Sequence, residues 1–275
     1  MEQVTVDGVR LEYEIHGGGE PLVLIHAGLV ADFFAPLMDQ PALRKYRLLR
    51  YHRLGYAGSE RVAGRIDIGR HAHHCLALMR HLGFESAHLV GHSSSAAMAI
   101  QVALDAPTAV RSLALLEMAL LAVPSSPVAA EAVGHYQTGD MRRAVHTWLS
   151  GVCGADYRDV VEHALPGAFD QAVADADTFF GQELPGLRRW SFGPADASRV
   201  TQPALVVLGG RSSEVNTTFA QRNELLLAWL PHAEPFVLPE TTHLLQVQDP
   251  RGMAQALAAF LARHPIGSSP ISRAQ

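Results

Sequence analysis

Apolar positions recur along the chain with two periods, and the switches between them mark out the elements. Val4 to Val6 and Val9 to Ile15 alternate apolar with polar residues around Asp7-Gly8, which predicts two half-buried strands joined by a tight hairpin turn. Pro21 to His26 (Pro-Leu-Val-Leu-Ile-His) is apolar almost throughout, as expected of a strand covered on both faces. Tyr46 to Tyr51 predicts another strand. Between Ile66 and Leu82 the apolar residues Ile68, Cys75, Leu76, Met79 and Leu82 follow helical spacing, and Gly83 supplies a stop. The alternation continues as strand Ala87 to Val90, helix Ser94 to Leu104 and strand Val110 to Leu116. It returns as strand Pro203 to Leu208, helix Phe219 to Leu230, strand Pro235 to Leu238 and helix Met253 to Arg263. Strands alternating with helices predict the α/β class: a mostly parallel sheet with helices on both faces, the first two strands forming its antiparallel start.

From about residue 118 to 200 the strand period disappears. That stretch reads as helical, broken by Pro124, Pro127, Pro166, Pro185 and Pro194. An insertion of this size is most simply a helical cap over the carboxyl edge of the sheet. The expected organisation is a discontinuous core (1–117 and 201–264), a cap (118–200) and a polar, turn-rich tail (265–275) expected to be disordered. No internal repeat is present.

Composition narrows the function. Of the 275 residues 48% are hydrophobic and 18% charged, enough for a large core and incompatible with disorder over most of the chain. A net charge of −5 leaves no basic footprint for nucleic acid. Cys75 and Cys153 fit neither a disulfide framework nor a metal-ligand spacing. Met1 to Arg10 lacks the form of a targeting signal, and the longest apolar stretch, 113–130, is interrupted by Glu117, Pro124 and Pro127. A cytoplasmic protein acting on a small molecule, without cofactor, metal, nucleic acid or membrane, is the expectation; its oligomeric state is not readable.

The segment richest in chemistry is His88-Leu89-Val90-Gly91-His92-Ser93-Ser94-Ser95-Ala96-Ala97. A strand, a glycine, one residue, a serine and a helix of small residues is the arrangement of a nucleophile elbow, with small residues needed two before and two after the serine. Gly91 and Ser95 hold those places. The competing reading of Ser93 is a helix N-cap. His26-Ala27-Gly28-Leu29 follows a buried strand, Arg53-Leu54-Gly55-Tyr56-Ala57-Gly58-Ser59 follows another, and Thr242-His243-Leu244 precedes the last helix. In this order the motifs resemble the α/β-hydrolase superfamily over nearly the whole chain. The resemblance implies Ser93 as nucleophile, His243 as general base, and an oxyanion hole from the N–H groups of Ser94 and Gly28, with Leu29 the near alternative and a shaper of the pocket. His26 and His92 read as structural or pocket-wall residues. His71, His73 and His74 do not share one helix face, so a solvated helix surface is expected there rather than a metal site.

The acid departs from the commonest form of the family. The loop after strand 204–208 reads Gly209-Gly210-Arg211-Ser212-Ser213-Glu214, with Ser212 where many relatives carry aspartate. Glu117 ends an apolar strand, a place where haloalkane dehalogenases and zearalenone-type lactone hydrolases carry a glutamate, and is the expected acid; Glu214 is the alternative. In the expected cap, Phe179-Phe180, Leu184-Pro185 and Trp190-Ser191-Phe192 are candidate pocket aromatics, Trp190 first among them. The resemblance thus implies a metal-free serine hydrolase for an ester, lactone or similar carbonyl. A serine elbow argues against dehalogenase and epoxide-hydrolase chemistry, which use a carboxylate nucleophile. A lyase, transferase or perhydrolase on the same triad, or a non-catalytic ligand-binding member of the fold, are the alternatives.

Overall fold

Parallel pairing gathers the loops that matter at one edge of a single sheet. The computed structural model describes residues 1–120, 123 and 127–267. Its strands are β1 (Glu2–Val6), β2 (Val9–His16), β3 (Glu20–Ile25), β4 (Tyr46–His52), β5 (Ala87–His92), β6 (Val110–Leu116), β7 (Ala204–Gly209) and β8 (Ala233–Leu238), in the spatial order β1-β2-β4-β3-β5-β6-β7-β8. β1 runs antiparallel to β2, and β2 to β4; all the other pairings are parallel. The hairpin turns where expected: Asp7 and Gly8 both have positive φ, 48° and 77°, the conformation a two-residue turn between twisted strands requires.

The central strands read as continuous apolar runs because each feeds two cores. Val23, Ile25, Leu89, Leu113 and Leu115 face one layer; Leu22, Leu24, Val90, Ala114 and Leu116 face the other. Helices α1 (Ile68–His81) and α2 (Ser94–Asp105) pack into the first layer. The last helix, Pro250–Ala262, closes the second with Met253, Leu257 and Phe260. α1 starts where Asp67 accepts the Arg70 N–H at 2.8 Å. The expectation of a solvated face at His71, His73 and His74 is corrected: of the three only His73 is at the surface, paired with Asp7 at 2.8 Å, while His71 and His74 are buried because this side of α1 packs inward.

Between β6 and β7 the described residues form helices and no strand. They are α3 (Pro127–Gln137), α4 (Met141–Cys153), α5 (Tyr157–Ala164) and α6 (Ala168–Ala174), then a π-helical turn over Asp177–Glu183 and two four-residue helices, Leu184–Leu187 and Pro194–Ala197. Val145, Leu149, Phe179 and Leu187 from this region join the first layer of the core. Pro124 lies outside the described residues. Of the tail expected from Pro265, the Ile266 N–H donates to Glu20 at 2.8 Å, and residues 268–275 lie outside the described residues.

Candidate active site

β5 ends in the sharp turn that the Gly91-His92-Ser93 segment suggests. Ser93 has φ 57° and ψ −120°, a conformation an L-residue adopts only when its surroundings impose it. Two backbone bonds do so: Ser93 N–H to Leu116 O at 2.9 Å and Ala119 N–H to Ser93 O at 3.1 Å. A Cβ at Gly91 would run into the Ser95 carbonyl and Ala96 Cα, so glycine is required there. The Ser93 side chain makes no cap hydrogen bond to α2, which removes the N-cap reading. Ser95 fits in the place of a glycine because its buried hydroxyl donates to the His26 carbonyl.

Glu117 ends β6, also with positive φ, 43°. Its Oε1 accepts the Gly209 N–H at 2.7 Å and its Oε2 accepts from His243 Nδ1 at 2.6 Å. Binding a carboxylate through Nδ1–H leaves Nε2 as the lone-pair nitrogen, the tautomer a proton acceptor needs. The imidazole is held on two sides. Phe219 stacks on it at 4.4 Å between centroids, with planes 20° apart, and His92 lies at 4.5 Å. His92 is kept neutral by burial and by the neighbouring His243. Glu214 is exposed and pairs with Arg211 at 3.0 Å, away from His243, while Ser212 is buried.

Ser93 and His243 line one cavity, with about 40 Å³ open to water. Gly28 and Ser94 share its wall with Phe33, Trp148, Leu149, Phe179 and Leu187, and no acidic or basic side chain other than His243 lines it among the described residues. The N–H groups of Gly28 and Ser94 donate to no group among the described residues. Phe179 lies directly over Gly28, where a Cβ would strike its ring. Leu29 is fully buried with φ 70° and is not on the wall. Trp190, expected as the first substrate contact, is likewise not on it. Its Nε1–H donates to Gln101 at 2.8 Å and its ring stacks on Phe192. Trp148 and Phe179 occupy the wall instead.

Beside the cavity lies a fully buried ion pair that the sequence reading missed. Arg53 Nη1 donates to Glu183 Oε2 at 2.7 Å. The same Glu183 atom accepts from Tyr56 OH at 2.7 Å, and Oε1 accepts from Ser94 Oγ at 3.1 Å. Arg53 also donates from Nε to the His26 carbonyl and from Nη2 to the Ala27 carbonyl, each at 3.1 Å. Burial alone would raise the Glu183 pKa, but Arg53 and His71 outweigh it and hold the carboxyl well below the usual range. His26 accepts the Arg53 N–H on Nε2 at 3.0 Å, and burial, then Arg53, keeps it neutral. No signal in the sequence marks Glu183, because its partners come from distant segments and the turn that holds it is π-helical.

Among the described residues no group of three or more His, Cys, Asp or Glu side chains is placed to hold a metal ion, and no helix is long and apolar enough to cross a membrane. The model of the alpha/beta hydrolase fold matches residues 20–147. A dihydrolipoyllysine-residue acetyltransferase component of an acetoin cleaving system from Pseudomonas putida is 29% identical, over 92% of this chain and 66% of its own length. This chain therefore spans just under two thirds of that relative. A fluoroacetate dehalogenase from Burkholderia sp is 29% identical over 70% of this chain and 64% of its own. Among solved structures, the enol-lactonase from Burkholderia xenovorans LB400 superposes with a TM-score of 0.79 at 22% identity, covering 95% of this chain and all of that one.

Proposed function

We propose that this chain, a member of the α/β-hydrolase superfamily, is a serine hydrolase for an uncharged ester or lactone. The observation that carries the reading is the buried Glu117–His243 hydrogen bond at 2.6 Å beside the cavity that Ser93 also lines. In this reading Ser93 Oγ attacks the carbonyl while His243 Nε2 takes its proton. Glu117 stabilises the imidazolium, and the N–H groups of Gly28 and Ser94 receive the oxyanion. His243 then protonates the departing alkoxide, and water, activated by the same imidazole, releases the acyl group from Ser93.

The wall of the cavity argues for a substrate without charge. A carboxylate on the substrate would be buried against Phe33, Leu149, Phe179 and Leu187 with no cation to meet it, a cost of several kcal/mol or more. In the same reading residues 118–200 form a cap on a core of residues 1–117 and 201–264, supplying Trp148, Phe179 and Leu187 as the roof over Ser93.

The test is a fluorophosphonate probe together with a panel of neutral p-nitrophenyl esters and small lactones. Labelling and turnover are expected in the wild type and lost in Ser93→Ala. Glu117→Gln should lower kcat by about 10⁴-fold, whereas Glu214→Gln should leave it within a few-fold. Equal labelling of wild type and Ser93→Ala refutes the reading. A protein that binds such substrates but never turns them over is a binding member of the fold instead.

A further inference from the structure

The two proposed oxyanion donors stand on separate parts of the chain, Gly28 after β3 and Ser94 at the start of α2, and a closed ring of hydrogen bonds joins them. From the Gly28 loop the ring passes through the carbonyls of His26 and Ala27 to the Arg53 guanidinium, with bonds of 3.1 Å each. It crosses to Glu183 at 2.7 Å and returns through Glu183 Oε1 to the Ser94 hydroxyl at 3.1 Å. The hydroxyl of the next residue, Ser95, closes it on the His26 carbonyl. Arg53 and Glu183 have side chains 0% and 1% exposed, so neither charge has water as an alternative partner.

We infer that the Arg53–Glu183 pair is a brace that sets the spacing of the two oxyanion N–H groups, which makes Glu183 a positioning residue for the reaction. Three features support this. Arg53 spends its guanidinium on carbonyls immediately before Gly28, where a planar fork fixes direction as well as distance. Glu183 accepts from the side chain of Ser94, the cavity-lining residue proposed as the second oxyanion donor. The ion pair is also an expensive way to stabilise a fold, because well-packed apolar side chains usually do as well, so its retention beside a reacting centre is best explained by geometry. Glu183 belongs to the π-helical turn of the inserted helices, so docking of that region and completion of the oxyanion hole become one event.

This inference rests on the serine-hydrolase reading for its catalytic meaning, and its test separates the two. Glu183→Gln keeps the shape but removes the charge that holds Arg53 and exchanges one acceptor oxygen for an amide donor. Expected is a fall in kcat per fluorophosphonate-titratable serine of about 10- to 100-fold, less than the loss of a whole oxyanion donor, with KM within about threefold. Inhibition by an alkyl trifluoromethyl ketone, whose hemiketal oxyanion needs both N–H groups, should weaken in proportion. The double variant Arg53→Met with Glu183→Leu removes both charges. It should regain the melting temperature lost in Glu183→Gln without regaining kcat. Restored kcat in the double variant, or kcat per titrated serine within twofold of wild type in Glu183→Gln, overturns the brace. The amide ¹H–¹⁵N shifts of Gly28 and Ser94 give a readout independent of turnover. They should move in Glu183→Gln even if wild type proves inert to the probe, and if they do not move, the brace fails on its own.

Discussion

Ser93 adopts a backbone conformation disfavoured for any residue with a Cβ, and its neighbours hold it there. Strain of this kind costs about 1–3 kcal/mol. Replacing the serine separates its chemistry from its strain: Ser93→Ala loses the hydroxyl and keeps the strain, whereas Ser93→Gly loses both. Ser93→Gly should therefore melt above Ser93→Ala, by roughly 2–4 °C for each kcal/mol recovered, with both inactive. Equal melting temperatures in scanning calorimetry would show that the turn is not strained. At this scale the sequence was informative where a residue's place in the fold follows from its own neighbours. Ser93 sits between a strand and a small-residue helix, and Glu117 is a carboxylate at the end of an apolar strand. It was silent on Phe219 and Glu183, because their importance lies in partners brought from distant segments. It misled at Trp190, because a partly buried tryptophan can satisfy its N–H away from the cavity as well as within it.

The elements themselves were legible to within a few residues where the period is long and its cause simple. Strands β3, β5 and β6 are apolar because both faces are covered, and Asp7-Gly8 and Gly83 turn the chain through positive φ as their residue types suggest. Helices of four residues, such as Ala35–Met38 and Pro194–Ala197, are too short to establish a period and could not be read. The π-helical turn was also hidden, since its extra residue per turn has no composition of its own. That turn places Phe179 over Gly28, so one of the helical elements between β6 and β7 limits the space in the cavity that Ser93 lines. Phe179→Ala should raise kcat/KM for hexanoyl over acetyl p-nitrophenyl esters by about tenfold, from the space of a few methylene groups. An unchanged chain-length profile would mean that Phe179 does not bound the acyl site.

At the scale of the whole molecule, five histidines among the described residues are buried in places that hold them neutral. Burial leads the cause in each case: His26, His71 and His92 are pushed below the usual value, and His74 and His88 down to about 4. Because the folded values lie below the unfolded one, the unfolded chain takes up protons first as pH falls. Stability is complete above about pH 6.5 and declines below it. The carboxylates of Glu183 and Asp32, held low by Arg53 and His52 respectively, add their loss only below the ordinary carboxylate range. The melting temperature should therefore fall continuously as the pH is lowered from about 6.5 to 5. A flat profile over that window would contradict the neutral assignments.

The pairing of β6 with β7 has a consequence for how the molecule comes into being. Leu113 lies beside Ala204, yet every helix of the insertion separates them along the chain. Closing so long a loop is slow, and it must precede the register that brings the His243 loop to Glu117. Ser93 and Glu117 are synthesised before these helices, and His243 after them. On the proposed function, a nascent chain therefore carries its nucleophile disarmed until the segment that follows β8 has emerged from the ribosome.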